Sequence, residues 1–218
     1  MKKRILFALL LLIFLTTINS QKSIVISKFN LEEIIIDNNF LVNDEEVKKL
    51  LAPIYNKNLI FLKNKEIEKL LTQNSYIESF IIKKKYPDTL KIQIHEKQPI
   101  AILVNKKNKF FLSEKIDLIE FTKNQNYRNL PYIFGNKEDF KILFNELKKI
   151  NFPFEIIKKY TLYESNRWDL ETFNNKVIKL PTSDYIKSLK NYLDNKDKVN
   201  FIKYKVFDYR IQGQLILK

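Results

Sequence analysis

Tyr76-Ile77-Glu78-Ser79-Phe80-Ile81-Ile82-Lys83 and Thr89-Leu90-Lys91-Ile92-Gln93-Ile94-His95-Glu96 lie on either side of Tyr86-Pro87-Asp88. In the second segment Leu90, Ile92 and Ile94 alternate with Lys91, Gln93 and His95, the period of a strand with one solvated face. Pro87 fixes φ and cannot donate to a ladder, so it suits the turn that reverses the chain. Glu96 falls on the face of Leu90, Ile92 and Ile94, at the unit's edge, where a basic residue or a backbone amide can meet it. His95 falls with the polar residues and is expected at the surface, away from metal or catalytic work.

On the N-terminal side, Phe29 to Ile36 is predicted as a strand closed by Asp37-Asn38-Asn39. Asn43 followed by Glu46 resembles a capping box, opening a helix with the stripe Val47, Leu50 and Leu51 that stops before Pro53. Asn58 to Leu62 is expected to be buried and extended. A second helix follows, with Asn64 as cap and Ile67, Leu70 and Leu71 on its inner face. Strand, helix, helix, strand, strand over Phe29 to Lys97 makes a compact α+β module.

Beyond Pro99 strands dominate. Ile100–Val104 and Phe110–Leu112 flank the polar turn Asn105-Lys106-Lys107-Asn108-Lys109. A helix over Glu138–Ile150 aligns Phe140, Leu143, Phe144, Leu147 and Ile150. Ile156–Glu164 is predicted extended. Arg167–Phe173 and Lys176–Leu180 form a hairpin across Asn174-Asn175, a pair that tolerates positive φ. A short helix over Tyr185–Leu193 precedes a last strand pair, Phe201–Arg210 and Gln214–Lys218, around Gly213. Trp168, Phe173, Tyr204, Phe207 and Tyr209 are expected to fill a sheet–helix core, with a nucleic-acid stacking platform as the sharper alternative.

At the N-terminus the basic head Met1-Lys2-Lys3-Arg4 precedes an apolar run from Ile5 to Leu15, finished by Thr16, Thr17 and Ile18. Basic residues stay cytoplasmic, so the chain after Ser20 is expected to be exported. A helix over Ile5–Ile18 spans about 21 Å, short of a hydrocarbon core of ~30 Å, which favours a cleaved signal peptide. Against cleavage, Ile18-Asn19-Ser20 lacks a small-x-small signal, and snorkelling of Lys2, Lys3 and Lys22 extends an anchor. The residues leave both readings open. Gln21 to Lys28 is expected to be a linker.

Composition removes most chemistry. Among 218 residues there is no Cys, one His and two Gly (Gly135 and Gly213). That excludes disulfides and thiolate metal sites, GxGxxG and Walker A loops, and a GxSxG elbow. The net charge of +14 invites a nucleic-acid reading, but only Arg4, Arg128, Arg167 and Arg210 are arginine. Lysine is a solvated point charge, and the excess is expected to be surface. The acidic clusters Glu32-Glu33 and Asp44-Glu45-Glu46 fall on a strand and at a helix N-terminus, where the latter suits the dipole. No catalytic, metal or cofactor-binding residue is predicted.

The ordered landmarks resemble the FtsQ/DivIB family of bacterial cell-division proteins. They are Phe29-x-Leu31-x-x-Ile34, Asn43 to Val47, Asn58-Leu59-x-Phe61-Leu62, Tyr86-Pro87-x-Thr89-Leu90 and Glu96-Lys97-x-Pro99-Ile100-Ala101. Further on come Trp168-x-Leu170, Asn174-Asn175, Val177-x-x-Leu180 and Val206-x-Asp208-x-Arg210. The resemblance implies an α+β protein with a single N-terminal transmembrane helix and a POTRA module (β-α-α-β-β), then a β-rich domain of antiparallel sheet with flanking helices. The expected boundaries are 1–4 cytoplasmic head, 5–20 anchor, 21–28 linker, 29–97 POTRA and 98–218 β domain.

It also implies a non-enzymatic scaffold of the divisome, retained in the inner membrane, N-terminus cytoplasmic and bulk periplasmic, at the division septum. Members usually carry a longer cytoplasmic tail, so an interaction through that tail is not expected of Met1 to Arg4, and no trailing tail is expected to act beyond the last strand. Expected partners are FtsB- and FtsL-like proteins and other divisome components, with no nucleic acid and no small-molecule substrate. They would bind through the last strand, with Arg210, Ile211, Gln212, Gly213, Gln214, Leu215 and Ile216 as candidates and Arg167 as a weaker one. Alternation puts Leu215 and Leu217 on one face and Ile216 on the other. A POTRA-containing export or envelope-assembly factor and an exported anionic-polymer binder are the alternatives.

Overall fold

Leu90, Ile92 and Ile94 are fully buried, in a strand, Thr89–Glu96 (β3), flanked on both sides. Glu33–Asp37 (β1) pairs with it in parallel, placing Ile34 opposite Leu90 and Ile36 opposite Ile92. Ile77–Lys85 (β2) pairs antiparallel on its other side. The structure, a computed structural model, describes residues 2–17, 27–106, 108–122, 127 and 129–218. Lys22, most of the expected linker 21–28, Ile18 at the end of the apolar run, Asn19 and Ser20 at the end of the expected anchor, Lys107 and Arg128 lie outside the described residues.

The chain divides into two compact units, Met1–Lys97 and Gln98–Lys218. In the first, Lys2–Thr17 is a helix (α1) of 16 residues. Among the described residues no helix is long and apolar enough to cross a membrane. Asp44–Leu50 (α2) and Asn64–Leu71 (α3) supply Val47, Ile67 and Leu71 to the core of the three-stranded sheet. Each such aliphatic side chain contributes roughly 1.5–3 kcal/mol when fully buried. Asn43 caps α2 by accepting from the Glu45 N–H at 3.0 Å. Asp44, Glu45 and Glu46 in the first turn and Lys48 and Lys49 in the last complement the helix dipole.

Several boundaries differ from expectation for local reasons. The strand expected from Phe29 begins at Glu33, because residues 29–31 pair with 56–59 instead: Leu31 donates to Lys57 O at 2.9 Å and Leu59 to Phe29 O at 2.7 Å. The helix α2 does stop before Pro53, as expected, and Pro53 enters a separate 3₁₀ turn, Ala52–Ile54, where its missing N–H costs nothing. Asn58 to Leu62 is a turn rather than an extended piece. The Phe61 and Leu62 amides both donate to Asn58 O, so Leu59 and Leu62 turn inward while Ile60 and Phe61 face solvent. Lys63, not Asn64, is the cap of α3, and Asn64 is its first helical residue.

The second unit is a nine-stranded sheet. Its strands are Pro99–Asn105 (β4), Asn108–Ser113 (β5), Leu118–Glu120 (β6), Tyr132–Phe134 (β7), Ile157–Tyr163 (β8), Arg167–Thr172 (β9), Val177–Lys179 (β10), Val206–Asp208 (β11) and Ile216–Leu217 (β12). They lie in the order β12-β11-β10-β9-β8-β7-β4-β5-β6. The sheet is mixed, not antiparallel as expected: β4 with β7, β7 with β8, and β10 with β11 are parallel. Each parallel pair needs a crossover, and in two of them helices supply it. Lys137–Lys149 (α4) links β7 to β8, while Tyr185–Asn195 (α5) and Val199–Ile202 (α6) link β10 to β11.

Register carries one apolar row across the sheet: Leu103, Ile133, Tyr160, Leu170, Ile178, Phe207 and Leu217 are successive cross-strand neighbours. This face packs against α4 and α5, with Phe140 edge-on to Tyr160 at 5.4 Å and Tyr192 edge-on to Phe207 at 5.0 Å. Trp168, Phe207 and Tyr209 are core residues and Tyr204 packs against them, but Phe173, expected there, is exposed past the end of β9. The last strand pair is shorter than expected. Phe201 belongs to α6, where it stacks on Phe207 at 6.4 Å, and β12 has two residues.

Candidate functional site

Strand alternation sends every second residue of the nine-stranded sheet away from α4 and α5. On that face Thr161, Asp169, Lys179, Asp208 and Ile216 are successive cross-strand neighbours. Lys179 therefore lies directly opposite Asp169 on one side and Asp208 on the other. Both carboxylates are buried. Each is paired with an arginine two residues away in sequence, Arg167 within β9 and Arg210 just past the end of β11.

Arg210 grips Asp208 with two bonds, Nε to Oδ1 at 2.8 Å and Nη2 to Oδ2 at 2.6 Å, and its backbone N–H adds a third at 3.2 Å. This fork geometry is one that lysine cannot reproduce. Arg167 meets Asp169 through Nε at 3.3 Å and lies over the Tyr163 ring, 4.6 Å from its centroid. The Arg210 bonds hold the Asp208 carboxyl below its ordinary range, despite burial. Burial pushes Asp169 up, against the opposing pull of Arg167, Lys179 and Arg210. Arg210 is held up in turn, first by its bond to Asp208 and to a lesser degree by Asp169 and Tyr163.

β12 forms one edge of the sheet. Lys218 exchanges two backbone bonds with Val206, at 2.9 and 3.1 Å. The period of two then turns the N–H and carbonyl of Leu217 away from β11, towards the open edge. Ile216 faces the ion row and Leu217 the core, as alternation requires. Of the candidates, Arg210, Ile211, Gln212, Gly213 and Gln214 lie in the loop between β11 and β12, not in a strand. Gly213 has φ +77°, a conformation an L side chain resists. Leu215 is partly buried against the core. The loop also walls a cleft of about 660 Å³ with the start of α5, where the Tyr209 hydroxyl donates to Asn191 Oδ1 at 3.0 Å.

The structure thus brings Arg167 and Arg210, 43 residues apart in sequence, onto one carboxylate row. Tyr163, Asp169 and Lys179 complete that row and were not singled out from sequence. Their signal was the alternation Arg167-x-Asp169, which matters only once the register of three strands is known. Among the described residues no group of His, Asp and Glu could hold a metal ion.

The family model for the POTRA domain, FtsQ-type, matches residues 29–97. The cell division protein FtsQ of Rickettsia conorii is 29% identical over 197 residues, covering 87% of this chain and 72% of that protein. The cell division protein DivIB of Clostridium botulinum is 31% identical over 148 residues, covering 67% of this chain and 55% of that one. The chain belongs to the FtsQ/DivIB family. FtsQ/DivIB proteins are non-enzymatic cell-division proteins, and a division role follows for this chain. The extracytoplasmic domain of DivIB from Geobacillus stearothermophilus, a solved structure, aligns at 14% identity and a TM-score of 0.35, covering 49% of this chain and 96% of that one.

The remaining FtsQ/DivIB landmarks are structural. Trp168 and Leu170 point into the core, opposite in sense to Arg167 and Asp169. Tyr86 is exposed, its ring edge-on to Phe29 at 6.1 Å, and the Tyr86–Pro87 bond is cis. Pro99 opens β4 and is buried. Glu96 meets backbone amides, the second of its two expected kinds of partner. Its Oε1 accepts from the N–H groups of Phe40, Leu41 and Val42 at 3.0, 2.9 and 2.8 Å, and Oε2 accepts from Leu41 at 2.9 Å.

Proposed function

We propose that this FtsQ/DivIB protein is a scaffold of the bacterial divisome, anchored in the inner membrane with its bulk exported, that holds FtsB- and FtsL-like proteins and other divisome components at the septum. A segment of the partner adds to β12 as a further strand, and Arg210 and Arg167 receive its acidic side chains. The observation that carries this reading is the outward N–H and carbonyl of Leu217 at an edge bordered by the Arg210 fork. Backbone pairing supplies affinity and the flanking side chains supply register. What supports the anchor is α1, whose residues from Ile5 to Phe14 are apolar and exposed on all sides.

The test is co-purification of the FtsB-like protein with the full chain from detergent-solubilised membranes, with sizing of the recovered chain. Leu217→Pro removes the outward donor and abolishes recovery. Ile216→Glu, on the exposed side of the strand, reduces it at least tenfold with an unchanged melting temperature. Undiminished recovery with both variants would overturn the reading. Recovery of a chain lacking residues 1–20 would overturn the anchor.

A further inference from the structure

α6 is four residues long and carries two of the most exposed aliphatic side chains in its unit, Val199 at 85% and Ile202 at 58%. Phe201, between them, turns inward onto Phe207. The inward ring fixes the helix to the sheet, so the outward pair is held on a firm base. Around this pair stand the exposed lysines Lys198, Lys203 and Lys205. The nearby Asp197 is paired with Lys196. The surface is therefore apolar at its centre and cationic at its rim.

This surface is tied to the open edge. The amides of Lys205 and Val206 both donate to the carbonyl of Lys218, at 2.8 and 2.9 Å, just beyond β12. Ile202 precedes Lys205 by three residues, at most about 11 Å of chain. A segment that pairs with β12 and continues past Lys218 thus passes the stretch of chain that leads back from Lys205 to Ile202 and Val199. Two residues of strand make few ladder bonds, so such a segment needs further contact to be held.

We infer that α6 is the second half of the partner site, a shelf that takes an apolar, carboxylate-bearing stretch of the same protein segment that pairs with β12. This rests on the β12 reading and adds to it the chemistry of the partner beyond the strand. The aliphatic pair buries apolar side chains of the partner, and the lysines meet its carboxylates as flexible point charges. Their attraction acts over the screening length of about 8 Å at physiological salt and speeds encounter.

The test uses the full chain in zwitterionic lipid nanodiscs, titrated with the purified FtsB-like protein. The chain has no cysteine, so Asn200→Cys and Lys218→Cys each take one environment-sensitive fluorophore, on the shelf and at the exposed end of β12. Partner addition shifts both probes. V199D/I202D raises Kd at least tenfold while the β12 probe still shifts at saturation, and K198E/K203E slows association and flattens its salt dependence. A shift at β12 alone, with affinity unchanged in V199D/I202D, overturns the shelf and leaves the β12 reading standing. No shift at either site and no binding overturns both. A shift of the Asn200 probe on changing to anionic lipid without partner assigns the shelf to the bilayer and overturns the inference.

Discussion

Glu96 ties the end of β3 to the turn before α2, because one half-buried carboxylate accepts from three consecutive amides. Glu96→Gln leaves one good acceptor and points an NH₂ group at donors, so the first unit loses about 2 kcal/mol, read as a lower urea midpoint. Asp208 and Asp169 make opposite contributions to pH dependence. Asp208 is held below its unfolded value, so its contribution is present above the ordinary carboxylate range and is lost as pH falls through the folded value. Asp169 is held above, so it opposes folding at neutral pH, and that opposition fades as pH falls below the ordinary range. Carboxyl carbon-13 titration therefore places the Asp208 midpoint below that of an unfolded aspartate and the Asp169 midpoint above it. The stability advantage of the native chain over Asp208→Asn shrinks with acid. Glu96's face was legible in the alternation of Leu90, Ile92 and Ile94. Its partners were not, because residues 40–42 lie more than fifty positions away and offer only backbone.

At the scale of elements, the approach of β8 and β9 to the turn after β7 depends on Gly135. A Cβ there would meet Leu162 Cβ at 3.0 Å and Trp168 Cη2 at 3.2 Å. Leu162 Cβ cannot swing aside, so Gly135→Ala costs about 1–2 kcal/mol by overpacking, checked by thermal unfolding. Helices with four or more apolar positions on one face were legible from sequence: α4 was expected over 138–150 and spans 137–149. Short strands were legible only as parts of longer expected ones: β10 falls within Lys176–Leu180 and β12 within Gln214–Lys218, whereas the three-residue β6 and β7 were not expected. β6 and β7 are too short to show a period, and they are held by register with longer neighbours. Apolar residues two and three apart around Phe201 fit either pattern, and its ring contact with Phe207 decides for helix. The ion row required the parallel join of β10 to β11, made by α5 and α6, which no local spacing announces.

Over the whole molecule, each unit has its own apolar cluster and the two share no residue. Ile92→Ala and Leu170→Ala each remove a fully buried side chain, at a cost of roughly 2–5 kcal/mol. Hydrogen exchange is expected to rise over 29–97 in the first variant and over 98–218 in the second, with the other unit unchanged. Exchange spreading through both units in either variant would show one cooperative fold. The α+β class and the strand–helix–helix–strand–strand order were legible because each element of the first unit is long enough to show its period. The mixed sheet was not, because direction of pairing leaves no trace in composition. The nine-stranded sheet ends in β6, with three residues, and β12, with two. Long bare edges recruit any passing strand and seed aggregation. An edge of two residues is too brief for a stranger to zip onto, so under the proposed docking it stays inert in a crowded compartment until a chain arrives that satisfies the neighbouring side chains as well.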